Sequence, residues 1–205
     1  AQVKNMTRRS IKTCTYIIAP VMMSIAFCAE PLVRLILTEK WLPCVLFLRV
    51  FCLGYACWPI ITANLNAAKA VGRSDLYLKC QLLNEGVCIL LLLATFRVSV
   101  EAIAYGMLIT NVVTQILDAQ LNKKLIGYGY LEQMRDILPT LLLAAGAGLC
   151  MYLVIFLHLP DLLTVIIQVV VGLGIYLTGS AILELDTFEY FKDMLAPSIR
   201  QKLKR

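Results

Sequence analysis

Residues 162–183 read LLTVIIQVVVGLGIYLTGSAIL, a run of 22 residues with no charge. About 20 helical residues cross a hydrocarbon core about 30 Å thick, so this run spans a membrane. Five more apolar stretches precede it: Ile137–Leu157, Val98–Leu121, Leu76–Phe96, Pro43–Ala68 and Thr15–Leu37. Six spans in 205 residues leave little chain for a soluble domain. The fold class is therefore all-α: a polytopic membrane protein of six transmembrane helices. A basic segment (1–14) leads into the six-helix lobe (15–183, with spans 15–37, 43–68, 76–96, 98–121, 137–157 and 162–183), and a tail (184–205) follows it.

The composition agrees. Hydrophobic residues make up 60% of the chain and charged residues 16%, against about 25% charged in an ordinary soluble domain. The mean hydropathy is +0.79. The net charge of +6 raises the question of nucleic acid, and the placement of the cations excludes it. Fifteen Lys and Arg lie in the amino-terminal segment, the second-to-third connection, the fourth-to-fifth connection and the tail. Only Arg34, Lys40, Arg49 and Arg97 lie on the other side. Basic connections favour the cytoplasm, so both termini are expected to be cytoplasmic, as an even number of spans also requires. A signal peptide, with Ala26-Phe27-Cys28 as cleavage site, fits badly because the apolar run continues past it. The chain begins at Ala1 within a basic stretch and reads as a fragment of a longer protein.

Chemistry-bearing motifs are scarce. The eight cysteines form no C-x-x-C pair and the one histidine is His158, so neither metal nor cofactor is expected. Phosphate-binding loops, nucleophile elbows and H-E-x-x-H are absent. The chain is not expected to be an enzyme, and its function is sought in polar residues inside the membrane, where they are costly unless partnered or hydrated.

The fourth span carries most of them: Glu101, Tyr105, Asn111, Gln115, Asp118 and Asn122 follow steps of 4, 6, 4, 3 and 4, with Thr114 beside them. They read as one stripe facing either a neighbouring helix or, the favoured alternative, a water-filled cavity. The third span offers Gln81, Asn84 and Glu85, the last about ten residues inside. Glu85 is either functional or paired with a cation such as Lys79. Asn64 and Asn66 close the second span, and Asn66, Lys69 and Arg73 share a face at i, i+3 and i+7. Those cations anchor the topology or have a further role, and Arg49, inside the outer end of the second span, snorkels or is functional. Gly72 suits a helix C-cap, and Ser74 or Asp75 the next N-cap. Glu30 and Pro31 open a short interfacial helix, Trp41 suits the aromatic belt and Pro43 opens the second span. Ala144 to Gly148 form a surface for close helix packing, and the last two spans, with Gln168, read as scaffold.

Several connections carry a resemblance. Glu30-Pro31-Leu32-Val33-Arg34-Leu35-Ile36-Leu37-Thr38-Glu39-Lys40-Trp41-Leu42-Pro43 resembles the loop after the seventh helix of Wzx-type polysaccharide flippases. Phe51-Cys52-Leu53-Gly54-Tyr55 with Pro59, Asn64-Leu65-Asn66, Gly72-Arg73-Ser74-Asp75-Leu76, Ala104-Tyr105-Gly106 and Lys124-Leu125-Ile126-Gly127-Tyr128-Gly129 resemble later parts of that family. The likeness runs from about Arg9 to Leu157. It places the chain beside the multidrug, oligosaccharidyl-lipid and polysaccharide exporters, whose two six-helix lobes surround a central cavity. The resemblance implies a carboxyl-terminal lobe that works with an amino-terminal lobe of the same protein. It also implies alternating access in the bacterial inner membrane and a lipid-linked oligosaccharide as cargo, for O-antigen or exopolysaccharide synthesis. Membrane lipids and the polysaccharide polymerase machinery are further implied partners. Arg49, Asn64, Asn66, Lys69, Arg73, Glu85, Asn111, Gln115 and Asp118 are the candidate cavity residues. A diphosphate calls for cations and sugar hydroxyls for amides. A cation-coupled drug exporter of the same fold, and a scaffold subunit that transports nothing, are the alternatives.

Overall fold

The computed structural model describes residues 2–157 and 160–183. The tail with its five cations, and the His158–Leu159 part of the turn before the last span, lie outside the described residues. The elements are α1 (Gln2–Phe27), α2 (Ala29–Leu37), a 3₁₀ turn (Glu39–Cys44), α3 (Val45–Ala56), α4 (Trp58–Ala70), α5 (Ser74–Thr95), α6 (Val100–Ile126), α7 (Tyr130–Leu153), a 3₁₀ turn (Val154–Leu157) and α8 (Asp161–Ile182). No strand occurs among the described residues. Six crossings are long and apolar enough to span a membrane, α3 and α4 forming one of them. The chain is an all-α, multi-pass membrane protein.

Several boundaries differ from those read in the sequence. Residues 2–14 are not a separate basic segment: α1 starts at Gln2, and Lys4 and Arg8 sit on its first turns. The run 15–37 is two helices that break at Cys28. The run 43–68 is also two, broken at Cys57 just before Trp58-Pro59. Proline lacks a backbone donor and its ring clashes with the carbonyl four residues back, so it starts a helix more readily than it continues one. Pro43 lies in a 3₁₀ turn rather than opening a span. The fifth crossing begins at Tyr130 instead of Ile137, which makes Gln133 and Asp136 helical.

Two glycines make the turns at the basic end. Gly72, at φ 76°, lets the Gly72 N–H bond Lys69 O and the Arg73 N–H bond Ala68 O, at 3.0 and 3.3 Å. This closes α4 with a Schellman motif. Arg73 thus leaves α4 and becomes the N-cap of α5, with Ser74 as the first helical residue. The shared face of Asn66, Lys69 and Arg73 does not form. Gly127, at φ 69°, ends α6 in the same left-handed conformation.

Helix α1 is central. It packs along α7 and also meets α3, α4 and α8. Small residues set that closeness: Ala19, Ala144 and Ala147 are buried together with Tyr16 and Tyr176, and a Cβ on Gly148 would lie 2.2 Å from the Phe27 ring. Tyr176 donates to Tyr16 O at 2.8 Å, and Gln168 Nε2 to Met151 O at 3.0 Å. The pair α5–α6 lies at the outside, where Leu82, Leu83, Leu90 and Leu93 are all more than 60% exposed. Such a face suits lipid or a partner of equal apolarity.

Candidate functional site

Two polar regions occur inside the bundle, and they are built differently. The first is a knot near the end where Lys4, Ala70 and Gly127 gather. Asn64 on α4 and Gln133 on α7 form a reciprocal amide pair, Asn64 Nδ2 to Gln133 Oε1 at 2.8 Å and Gln133 Nε2 to Asn64 Oδ1 at 2.9 Å. Asn122 on α6 donates to both Asn64 Oδ1 and Asn64 O at 2.8 Å, and Gln133 Nε2 also reaches Tyr128 O at 3.1 Å. Tyr128, fully buried, donates its hydroxyl to Asp136 at 2.8 Å, and Arg8 pairs with the other oxygen of Asp136. Burial first, and the Asp136 carboxylate second, hold the Tyr128 phenol above the ordinary tyrosine range. Lys4 bonds Gly127 O at 2.8 Å and Glu132 at 3.1 Å. The knot ties α1, α4, α6 and α7 together and leaves Asn64 no polar atom for a ligand, contrary to its reading as a cavity residue.

The second region is a groove of about 300 Å³. One wall is aromatic: Phe51 and Tyr55 on α3 and Trp58 at the start of α4. Tyr55 and Trp58 lie with ring centroids 5.2 Å apart, and both are more than 40% exposed. The other wall is polar: Gln81, Asn84 and Glu85 from α5, with Thr110, Asn111 and Thr114 from α6. Glu85 stands 11 residues into α5 and Asn111 11 residues into α6, about 16 Å along each helix. That depth is half of a core about 30 Å thick. Gly54 lets α3 approach here, since a Cβ on it would lie 2.8 Å from Asn111 Nδ2. Within the wall, Gln81 donates to Glu85 at 3.2 Å, and Asn84 Nδ2 donates to Asp118 Oδ1 at 3.0 Å. Asn84 is 5% exposed, and its Oδ1 has no partner.

Of the nine candidates read from the sequence, the groove brings together Glu85 and Asn111. Gln115 and Asp118 lie behind its wall, at 4% and 1% exposure. Asp118 accepts from Asn84 and, at 3.2 Å, from Cys80 Sγ. The fourth-span stripe is therefore not one cavity face. The step of six residues from Tyr105 to Asn111 turns the helix by about 120° net, which leaves Glu101 and Tyr105 exposed, while the lower part packs into the interior. Asn66 is exposed beside α1 and lines a shallow depression with Met6, Thr7 and Ser10. Lys69 lies 4.6 Å over the Tyr77 ring, and Arg73 pairs with Asp75 at 3.1 Å in solvent. Arg49 donates to Ala26 O at 3.3 Å, which places a cation on the carboxyl-terminal end of α1, where the helix dipole favours it. None of these four lines the groove. Among the described residues no cluster of His, Cys, Asp and Glu could hold a metal.

Sequence reasoning missed Phe51, Tyr55 and Trp58, although Tyr55-x-x-Trp58-Pro59 signals an aromatic pair beside a break. It also missed Tyr128, Gln133 and Asp136, whose charged neighbours disguised a helix as a connection.

With this geometry in view, residues 1–46 match a family model described as "Polysaccharide biosynthesis protein". No curated protein and no solved structure matches the chain. The match covers α1, α2 and the 3₁₀ turn. Together with the six crossings it supports a membrane protein of polysaccharide synthesis. The groove lies outside the matched segment.

Proposed function

We propose that the chain is one lobe of a flippase that carries lipid-linked oligosaccharide repeat units across the bacterial inner membrane, by alternating access and without catalysing a covalent step. The observation that carries this reading is the mid-membrane groove, in a chain whose first 46 residues match a polysaccharide-biosynthesis family. The polyprenyl tail of such a substrate stays in lipid, and its sugars need polar partners wherever they leave water. Gln81, Asn84, Glu85, Asn111 and Thr114 offer those partners at half depth. A second lobe supplies the opposite wall, and the cation-rich ends of the helices face the cytoplasm, where loading begins. Polymerase machinery on the far side would consume the product.

Glu85 among Phe51, Tyr55 and Trp58 favours a second reading, export of an organic cation. One experiment separates the two. The full-length protein is reconstituted in vesicles, and saccharide-lipid exposed on each leaflet is measured with an impermeant sugar-oxidising reagent, beside efflux of a fluorescent cation. Accelerated saccharide-lipid exchange without cation efflux is expected. Cation efflux without exchange would replace the proposal with the second reading, and neither activity would leave a scaffold.

A further inference from the structure

We propose that the groove holds the sugar of the cargo and not its diphosphate, with a pyranose ring seated on the Tyr55–Trp58 pair. The proposal rests on the flippase reading for its substrate, and three independent observations carry it.

The first is charge. Among the described residues the lining contains one carboxylate, Glu85, and no Lys or Arg. A diphosphate taken from water needs opposite charge or several donors, and Glu85 would repel it. Of the cations nearest in sequence, Arg49 sits on the end of α1, Lys69 lies over Tyr77, and Lys79 is exposed on α5 outside the lining. The second is the aromatic wall. Three rings that expose between 37% and 43% of their surface at mid-membrane form a rigid, low-entropy contact surface. The apolar face of a sugar ring suits it, while ring hydroxyls point to the rim. The third is the opposite wall. Asn84 lines the groove, and its buried Oδ1 has no hydrogen-bond partner. A buried polar atom left open in this way costs stability unless something fills the need. A turn of the amide toward the groove brings Oδ1 to a sugar hydroxyl, which donates to it and accepts in turn from the amides of Gln81 and Asn111.

The polarity of the two walls thus sets a register. The saccharide sits at half depth, and the diphosphate stays nearer a membrane face, outside the groove.

The test uses the full-length protein labelled with 5-fluorotryptophan in lipid nanodiscs. The Trp58 fluorine resonance is assigned by its loss in Trp58→Phe. Three probes are added: the saccharide-loaded polyprenyl diphosphate extracted from the same cells, the same lipid stripped of its sugar, and tetraphenylphosphonium. The saccharide-loaded lipid should move the Trp58 resonance and the stripped lipid should not. Trp58→Leu should weaken binding of the loaded lipid about tenfold and Trp58→Phe much less, as expected for a ring contact. Asn111→Ala should weaken it several-fold and serves as the second variant if Trp58→Leu fails to fold. An equal response to the stripped lipid would overturn the proposal by placing the diphosphate in the groove. A response to tetraphenylphosphonium alone, or to no probe, would also overturn it. Flipping with a silent Trp58 refutes this inference and spares the transport reading; a responsive Trp58 without flipping does the reverse.

Discussion

Asn64 and Leu65 are neighbours on α4, and they face two regions that use the same kinds of side chain to opposite ends. Asn64 enters the knot, where both polar atoms of its amide and of Gln133's are engaged. Leu65 lines the groove, where Asn84 keeps an unpartnered oxygen and three aromatic rings stand exposed. Amides inside a membrane are costly in either place. Where they satisfy one another they fasten helices together; where they are left open beside aromatic rings they await a ligand. Residue type does not separate the two roles. For Asn64 and Asn84 hydrogen-bond completion does, together with the aromatic wall, since Asn122 Oδ1 in the knot is unpartnered as well.

The comparison breaks most visibly in the knot. Asn64→Leu strands Gln133 Oε1 and takes one of two acceptors from both Asn122 Nδ2 and Gln133 Nε2, and each unpaired buried group costs about 1–3 kcal/mol. A direct interhelical bond in a membrane is worth only about 0.6 kcal/mol on average, so the stranding dominates. The expected result is a sharp fall in thermal midpoint and in membrane abundance. The double variant Asn64→Leu, Gln133→Leu should recover much of it, because no polar partner of that pair is then left open.

Thiol probes sharpen the contrast within α6. In a cysteine-free background, Asn111→Cys and Thr114→Cys should react with a polar maleimide at least about tenfold faster than Gln115→Cys and Asp118→Cys, since reagent access follows exposure. Equal rates would dissolve the boundary between groove and interior.

Gly54→Ala asks whether the groove depends on how closely α3 approaches Asn111. The added methyl must displace that amide, which lies 2.8 Å away. Overpacking costs about 1–3 kcal/mol, offset by about 1 kcal/mol of helix propensity gained by alanine, and a several-fold loss of transport per folded molecule is expected. The smallest effect belongs to Lys69→Gln, an exposed cation over Tyr77 that lines neither region. Stability should change by about 0.5 kcal/mol or less, and transport should persist.

The number of crossings was legible because apolar length is a strong signal, and the αL glycines at 72 and 127 marked two turns. The helix ends were not legible. Glu132, Gln133, Arg135 and Asp136 read as a solvated connection because charge usually marks one, yet Gln133 and Asp136 fold inward onto Asn64, Tyr128 and Arg8, which lie 69, 8 and 128 residues away. Such partners are invisible to a periodicity. The stripe on the fourth span showed where polar groups lie and not which were satisfied, so Asn111 fell into the groove while Gln115 and Asp118 became interior. The aromatic wall was hidden inside an apolar run, where Tyr55 and Trp58 resemble any other core residues.

We propose that the groove, and not the cation-rich end, engages the cargo inside the membrane. The most direct measurement is the flipping rate of saccharide-lipid per folded molecule for Asn111→Ala in vesicles containing the full-length protein. The account predicts a fall of about tenfold or more, the scale of a lost buried hydrogen bond to substrate, with the thermal midpoint nearly unchanged. An unaltered rate per folded molecule would contradict it.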